Sequence, residues 1–364
     1  MPETSANADT ERRDALADRL FRDTIAMQEM LHIYVGDRLG LYTALAGAES
    51  MSPQELADQA GIAERYAREW LEQQAVAGIL DVMEDDGGRR RYRLPPGADE
   101  VLCEPESLYY MAPFAPLVVS LAQALPQVVE AFRSGGGVPY EAYPGVADAI
   151  ARGNRPMFVN QLAAEWIPAL PDIEARLRGT DPPARVADLG CGTGWSTLAL
   201  ARAYPDARVD GIDLDEGSIE TARGRAERSG LAERVTFACR DAADPGLSGR
   251  YDLVTLFETL HDMSRPVEVL RAVRGMLAPG GTVLVGDEKV AETFTAPGDD
   301  VERFQYGWSA LHCLAASMVD PESAATGTVI RPETVRRYAD EAGFSNVTIL
   351  PVEHDLWRFY RLDP

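Results

Sequence analysis

A glycine-rich turn behind an acid gives the first chemical signal. In "RVADLGCGTGWSTLALA", Arg185 to Ala201, an apolar run ends at Asp188, meets Gly190, Gly192 and Gly194, and continues as a helical pattern. Such a turn between strand and helix brings backbone N–H groups to a nucleotide-like ligand. A dinucleotide fingerprint, G-x-G-x-x-G, would place its third glycine where Trp195 stands. Here the spacing is G-x-G-x-G. A carboxylate at Asp188 within ~4 Å of a pyrophosphate charge would cost on the order of 4 kcal/mol at an effective dielectric of 20. The same carboxylate favours a ligand bearing an ammonium group. S-adenosylmethionine carries an ammonium, a carboxylate and a sulfonium, and no phosphate. Asp188 is expected to meet its amino-acid end, directly or through water.

Other acids follow at strand ends. "VDGIDLD" ends at Asp213, placed to accept two ribose hydroxyls, with Leu214 beside it. "FACRDAAD" offers Asp241 for an adenine amino group and Ala242 for a backbone contact. "YDLVTLFETLHDM" ends a strand near Phe257 and Glu258, both assigned to the cofactor. On the same loop His261 and Asp262 form a His-Asp pair. An unperturbed histidine titrates at about 6.5, so His261 could take a proton from a hydroxyl at neutral pH. "VPYEAYPG" supplies Tyr140 and Tyr143, within reach of the cofactor or of its reaction partner; Tyr143 is assigned to the cofactor. "FQYGWSALHCLAASM" places Tyr306, Trp308, His312 and Met318 on one helix or helix pair, as candidate acceptor contacts. His261 and His312 could also share a metal ion, but without a clear third ligand no metal is expected.

These residues need a sheet to carry them. Strands are expected at Arg185–Asp188, Arg208–Ile212, Val235–Cys239, Tyr251–Phe257 and Thr282–Gly286, with helical segments between them. That alternation is a doubly wound parallel sheet. Val347–Pro351 and Asp355–Arg361 are too close for a crossover helix and must pair antiparallel. The fold class is therefore α/β, a Rossmann-like, seven-stranded sheet with an antiparallel last strand. Ahead of it, residues 1–15 read as a loose tail, and Thr24–Ala46 as a helix interrupted at Gly36 and Gly40. Ser52 then caps a helix with Pro53 at its first position, Glu55 three residues on and Gly61 at the end. Helix Glu64–Ala77 and the hairpin "GILDVM"/"RRRYRL" complete a winged-helix plan. The expected divisions are a winged-helix dimerisation domain at 1–98, a helical connector contributing to the acceptor pocket at 99–180, and the α/β domain at 181–364. Tyr109 to Phe132 reads as a buried helix broken by prolines, not as a membrane span.

"DLGCGTG", "GIDLD", "RDAAD" and "LAPGGTVLV" resemble the successive motifs of class I S-adenosylmethionine-dependent methyltransferases. "YVGDRLGLYTALA" and "SPQELADQAGIAERYAREWLEQQAVAGIL" resemble the winged-helix dimerisation domain of small-molecule O-methyltransferases of natural-product type. The resemblance implies a homodimer and methyl transfer to a small acceptor. It also implies that His261 is the general base, oriented by a carboxylate at "VGDEKV", where Asp287 or Glu288 would serve. Some related C-methyltransferases of 2-oxo acids bind a metal through histidine, which is the alternative chemistry.

Composition narrows the partners. The chain has 364 residues and a formal net charge of −23. That balance disfavours nucleic acid and anionic membrane surfaces. Ser52–Leu94 carries nine acids against six arginines, so a DNA-reading winged helix that merely binds the cofactor is the weaker reading. The four cysteines form no CxxC pair, and the N-terminus lacks the basic and apolar regions of a signal peptide; a reduced cytoplasm is expected.

Overall fold

Helix α1 spans Glu3–Leu39 and runs through Gly36. A Cβ at Gly36 would lie 2.5 Å from Tyr42 Cε2 and 2.7 Å from Trp70 Cζ2, so glycine is kept there for close packing. The break comes at Gly40, which is left-handed at φ 67°. The expected loose tail is helical from Glu3. Polarity is not disorder: from Glu3 on, the stretch holds alanines, glutamates and arginines and no glycine or proline to break a helix. The computed structural model describes residues 3–244, 246–247 and 250–364, with side chains from residue 8. It forms two compact units, Met1–Val119 and Ser120–Pro364.

In the first unit α2 (Leu41–Ala46), α3 (Pro53–Ala60) and α4 (Glu64–Val76) lead to an antiparallel hairpin, β1 (Asp81–Glu84) and β2 (Arg90–Arg93). The capping box forms: Glu55 Oε2 accepts from Ser52 N at 2.7 Å, and Ser52 Oγ from Glu55 N at 3.3 Å. Leu41, Leu45, Leu56, Trp70, Leu71 and Tyr92 make the core. Helix α5 (Ala98–Leu102) follows, then α6 (Phe114–Ser134). Helix α6 is not the buried helix expected. Leu125, Val129 and Phe132 are exposed, Phe132 by 73%. It is long and apolar enough to cross a membrane by length and composition alone. Its two prolines do not prevent this: Pro116 sits in the first turn and Pro126 is accommodated in the helix.

The second unit continues with α7 (Val146–Asn160) and α8 (Pro171–Leu177), then alternates strand and helix. The elements are β3 (Arg185–Leu189), α9 (Trp195–Ala203), β4 (Arg208–Asp213), α10 (Glu216–Arg228), β5 (Val235–Cys239), β6 (Tyr251–Phe257), α11 (Pro266–Met276) and β7 (Leu277–Glu288). Helices α12 (Asp300–Trp308) and α13 (Leu314–Ser317) are joined by a π-helical turn at Ser309–Cys313. Helix α14 (Pro332–Ala342) precedes β8 (Asn346–Ile349) and β9 (Trp357–Asp363). The seven strands lie in the order β5-β4-β3-β6-β7-β9-β8. As expected, the sheet is parallel except for β9, which pairs antiparallel with β7 and β8. Central strands such as "YDLVTLF" are covered on both faces, which is why they read as continuous apolar runs.

Candidate active site

The strand order reverses at β3. The chain leaves β3 toward β4 and β5, then returns on the other side as β6, so the loops beyond these strands part and open a crevice. A cavity of about 630 Å³ occupies it, a size suited to a small molecule. Along the sheet its wall passes from Asp241 and Ala242 to Asp213 and Leu214, then to Gly190–Thr193, then to Phe257, Glu258 and Thr259. Tyr140 with Ile150, Asn154 and Phe158 of α7 close the opposite side.

The glycine turn is built by contacts as well as by φ angles. Gly190, Gly192 and Gly194 sit at φ 66°, 49° and 85°. A Cβ on Gly190 would fall 2.2 Å from Thr259 Oγ1, and one on Gly194 2.8 Å from Phe237. Gly194 therefore serves helix packing and lies outside the cavity wall. Trp195, in the place of a third fingerprint glycine, is stacked by Arg155 at 4.3 Å and Arg225 at 4.6 Å. Asp213 ties the turn down: Oδ2 accepts from Gly192 N at 2.8 Å, and Oδ1 from Asp215 N at 2.9 Å. Burial raises its pKa, and these backbone donors oppose the rise.

Asp188 does not reach the cavity, contrary to expectation. It is 1% exposed. Its Oδ2 accepts from Ser196 Oγ and Thr197 Oγ1, both at 2.6 Å, and Oδ1 accepts from Thr255 Oγ1 at 2.7 Å. Helix α9 supplies two of these hydroxyls, so the acid joins helix to strand beneath the turn. Burial pushes its carboxyl up, and the three hydroxyls counter that only in part. Asp188→Ala would strand the buried Ser196 and Thr197 hydroxyls and leave Thr255 only the Ala187 carbonyl at 3.4 Å, with an expected loss of about 2–4 kcal/mol of folding stability. Urea denaturation measures this; an unchanged midpoint would contradict the joining role.

His261 is 1% exposed and set between two acids. Nδ1 lies 2.6 Å from Asp287 Oδ1, and Nε2 lies 3.2 Å from Asp262 Oδ1. Asp287 Oδ2 also accepts from the His261 backbone N–H at 3.2 Å. Burial alone would lower the imidazole pKa; Asp287 and Asp262 outweigh it and hold the ring charged well above its usual range. For Asp262 burial alone would raise the pKa, and the His261 imidazolium brings it down to about 2. Asp262 lines the cavity, and His261 lies behind it. Of the two acids at "VGDEKV", Asp287 is the one on His261. Glu288 turns elsewhere: it accepts from Gln305 Nε2. Asn154 donates to Glu258 from α7. Burial raises both glutamate pKa values, Glu288 well above the ordinary range.

The aromatic candidates stand back from the cavity. Tyr143 donates its hydroxyl to Leu311 O at 2.9 Å, and the neighbouring Tyr140 takes the cavity position. His312 packs edge-on against Tyr143 at 4.6 Å and Trp308 at 6.1 Å. Tyr306 faces Phe294 and Arg331. Met318 lies past the cavity-facing residues of its segment, which are Ala316 and Ser317. The reason is local: the π-helical turn shifts the helical phase between Trp308 and Leu314, so spacing from Tyr306 does not carry through. His261 and His312 do not converge either. The side chains that close on His261 are Asp287, Asp262 and Cys313, while His312 turns Nδ1 to Cys313 Sγ at 3.3 Å. Sequence reasoning missed Asn154, Phe158 and Thr259, whose only signal was their place on α7 and after β6.

Residues 186–281 match the model of a methyltransferase domain, and residues 27–103 that of an Rv2258c-like winged HTH domain. Residues 186–281 are a methyltransferase domain. Its glycine turn, Asp213, Asp241 and Glu258 all lie inside that match. The chain is 33% identical over 120 residues to the 27-O-demethylrifamycin SV methyltransferase of Amycolatopsis mediterranei, covering 33% of this chain and 44% of that protein. It is 35% identical over 125 residues to the ubiquinone biosynthesis O-methyltransferase of Bordetella avium, covering 34% and 48%. The chain thus spans under half the length of these relatives. Among solved structures, the mitomycin 7-O-methyltransferase MmcR superposes with a TM-score of 0.70 at 19% identity, covering 97% of this chain and 99% of that one. Human N-acetylserotonin methyltransferase in complex with SAM gives 0.66 at 18% identity, covering 95% and 97%. At these identities the likeness shows the fold. The methyltransferase match thus takes in β3 to the start of β7, with the strand ends that line the crevice, and the winged HTH match precedes it in the chain.

Proposed function

We propose that the chain transfers a methyl group from S-adenosylmethionine to a small-molecule acceptor, at a hydroxyl, with His261 as general base. The observation that carries this reading is the single cavity onto which four strand ends present Asp241, Asp213, the glycine turn and Glu258, with the His261–Asp287 pair behind its wall. The cradle suits the ligand: Gly190 cannot take a side chain, so backbone alone faces the ligand there. When bound, S-adenosylmethionine supplies a methyl group on sulfonium, ready for in-line displacement. Asp213 retains lone pairs for two ribose hydroxyls after its backbone bonds. Asp241 takes the adenine amino group beside Ala242, and Leu214 and Phe257 give apolar contact. Holding the acceptor oxygen about 3 Å from the methyl carbon can supply ~7–11 kcal/mol.

Asp287 fixes Nδ1–H of His261, so Nε2, which faces Asp262 of the cavity wall at 3.2 Å, is the nitrogen that takes the acceptor's proton. Asp262 then stabilises the imidazolium that forms. The working base is the neutral ring, so turnover should rise with pH along a limb set by His261. Asp262→Asn removes one of the acids that raise the His261 pKa and should move that limb to lower pH. A pH–rate profile that does not move contradicts the assignment. The direct test is incubation with S-adenosylmethionine and a panel of small phenols, with a product gaining about 14 Da expected.

The division 1–98, 99–180 and 181–364 belongs to this reading, with α7 of the connector forming the acceptor side of the cavity. So does a homodimer: α1 exposes Leu16, Leu20, Met27, Leu31 and Val35 along one side, an apolar stripe that a second copy would cover.

A further inference from the structure

With Asp188 committed to three hydroxyls, the ammonium group of the cofactor needs another carboxylate. We propose that Glu258 receives that ammonium group, aimed at the cavity by its backbone kink and by Asn154. This rests on the reading of the cavity as an S-adenosylmethionine site.

Position comes first. Leu189 of β3 is in register with Leu256 of β6, so Gly190 and Glu258 emerge at neighbouring strand ends. Asp213, placed for the ribose, lies on the other flank of β3. A ligand laid along the sheet with its base at Asp241 and its sugar at Asp213 therefore puts its amino-acid end at the β3–β6 side, against Glu258. Conformation is second. Glu258 sits at φ 52°, rare for a residue with a side chain, and is held there as its N–H donates to Gly286 O at 2.7 Å. The left-handed kink ends the strand and makes Glu258 part of the cavity wall.

The third point is a pair of donors. Asn154 Nδ2 donates to Glu258 from α7, and Gln305 Nε2 donates to Glu288 from α12. Glu288 is the more deeply buried of the two, so it is the costlier to charge. Glu258, at the cavity, carries the charge. The charged groups around the pair are His261 and Asp262 from the same loop and Asp287 from β7. Helix α7 contributes neutral Asn154; α12 contributes neutral Gln305 and Glu302, the latter paired with Arg331 at 2.7 Å. The His261 imidazolium is matched by its own two acids, which leaves Glu258 for a cation from the ligand.

Two ligands make the test: S-adenosylhomocysteine and its analogue with hydrogen in place of the amino group. Calorimetry on the wild type should show a preference for the amine of about 10- to 100-fold. Glu258→Gln should abolish that preference while binding the analogue as the wild type does, which also shows that the variant is folded. In the wild type the preference should shrink as pH falls and Glu258 takes up a proton, at pH values above the ordinary carboxylate range. If Glu258→Gln weakens both ligands alike, or leaves the preference intact, the proposal is overturned. If the wild type binds neither ligand, the cofactor reading itself fails.

Discussion

Replacing His261 with alanine is expected to lower single-turnover methyl transfer by about 10²–10⁴-fold and to leave the affinity for S-adenosylhomocysteine near its wild-type value. The separation follows from where the ring sits. His261 is behind the cavity wall at Asp262, while the residues placed for the cofactor come from the ends of β3, β4, β5 and β6. Its backbone N–H and Nδ1 both go to Asp287, which holds the ring in one orientation. Asp287→Asn should therefore slow turnover too, by releasing that orientation. Unchanged turnover in His261→Ala would remove the residue from the reaction. An equal loss of cofactor affinity would make its role structural.

The opposite pattern is expected of Asp213→Ala. Its carboxylate holds Gly192 N and Asp215 N and still faces the cavity. Alanine would free the glycine turn and delete two charge-assisted bonds to the ribose. At roughly 1.5 kcal/mol for each bond, cofactor affinity should fall by about 10²-fold. Turnover at saturating cofactor should recover most of its wild-type value, since nothing at His261 has changed. Titration calorimetry gives the first number and a saturation curve the second. A variant that binds as tightly as the wild type would show that the ribose lies elsewhere.

The strands were legible because their physics is local. Val235–Cys239 and Tyr251–Phe257 are apolar runs bounded by polar turns, and both are found at the expected residues. The Ser52–Glu55 capping box and the Gly61 stop were equally readable, since each is satisfied within one turn of helix. Side-chain direction was not legible. Asp188 has the position expected of a ligand contact, yet hydroxyls eight, nine and 67 residues away decide where its oxygens go. Tyr140 and Tyr143 differ by three residues, and only the packing of Tyr143 on His312 and Leu311 assigns the cavity to Tyr140. The choice between Asp287 and Glu288 also needed three dimensions, because consecutive residues at a strand end point to opposite faces. The N-terminal tail, expected loose, is helical from Glu3, where helix propensity outweighs polarity.

Titration of the wild-type chain with S-adenosylhomocysteine, and separately with NADH, tests the central claim most directly. One site per chain for adenosylhomocysteine, and no heat with the diphosphate, is the predicted result. Saturable NADH binding with no uptake of adenosylhomocysteine would contradict the account.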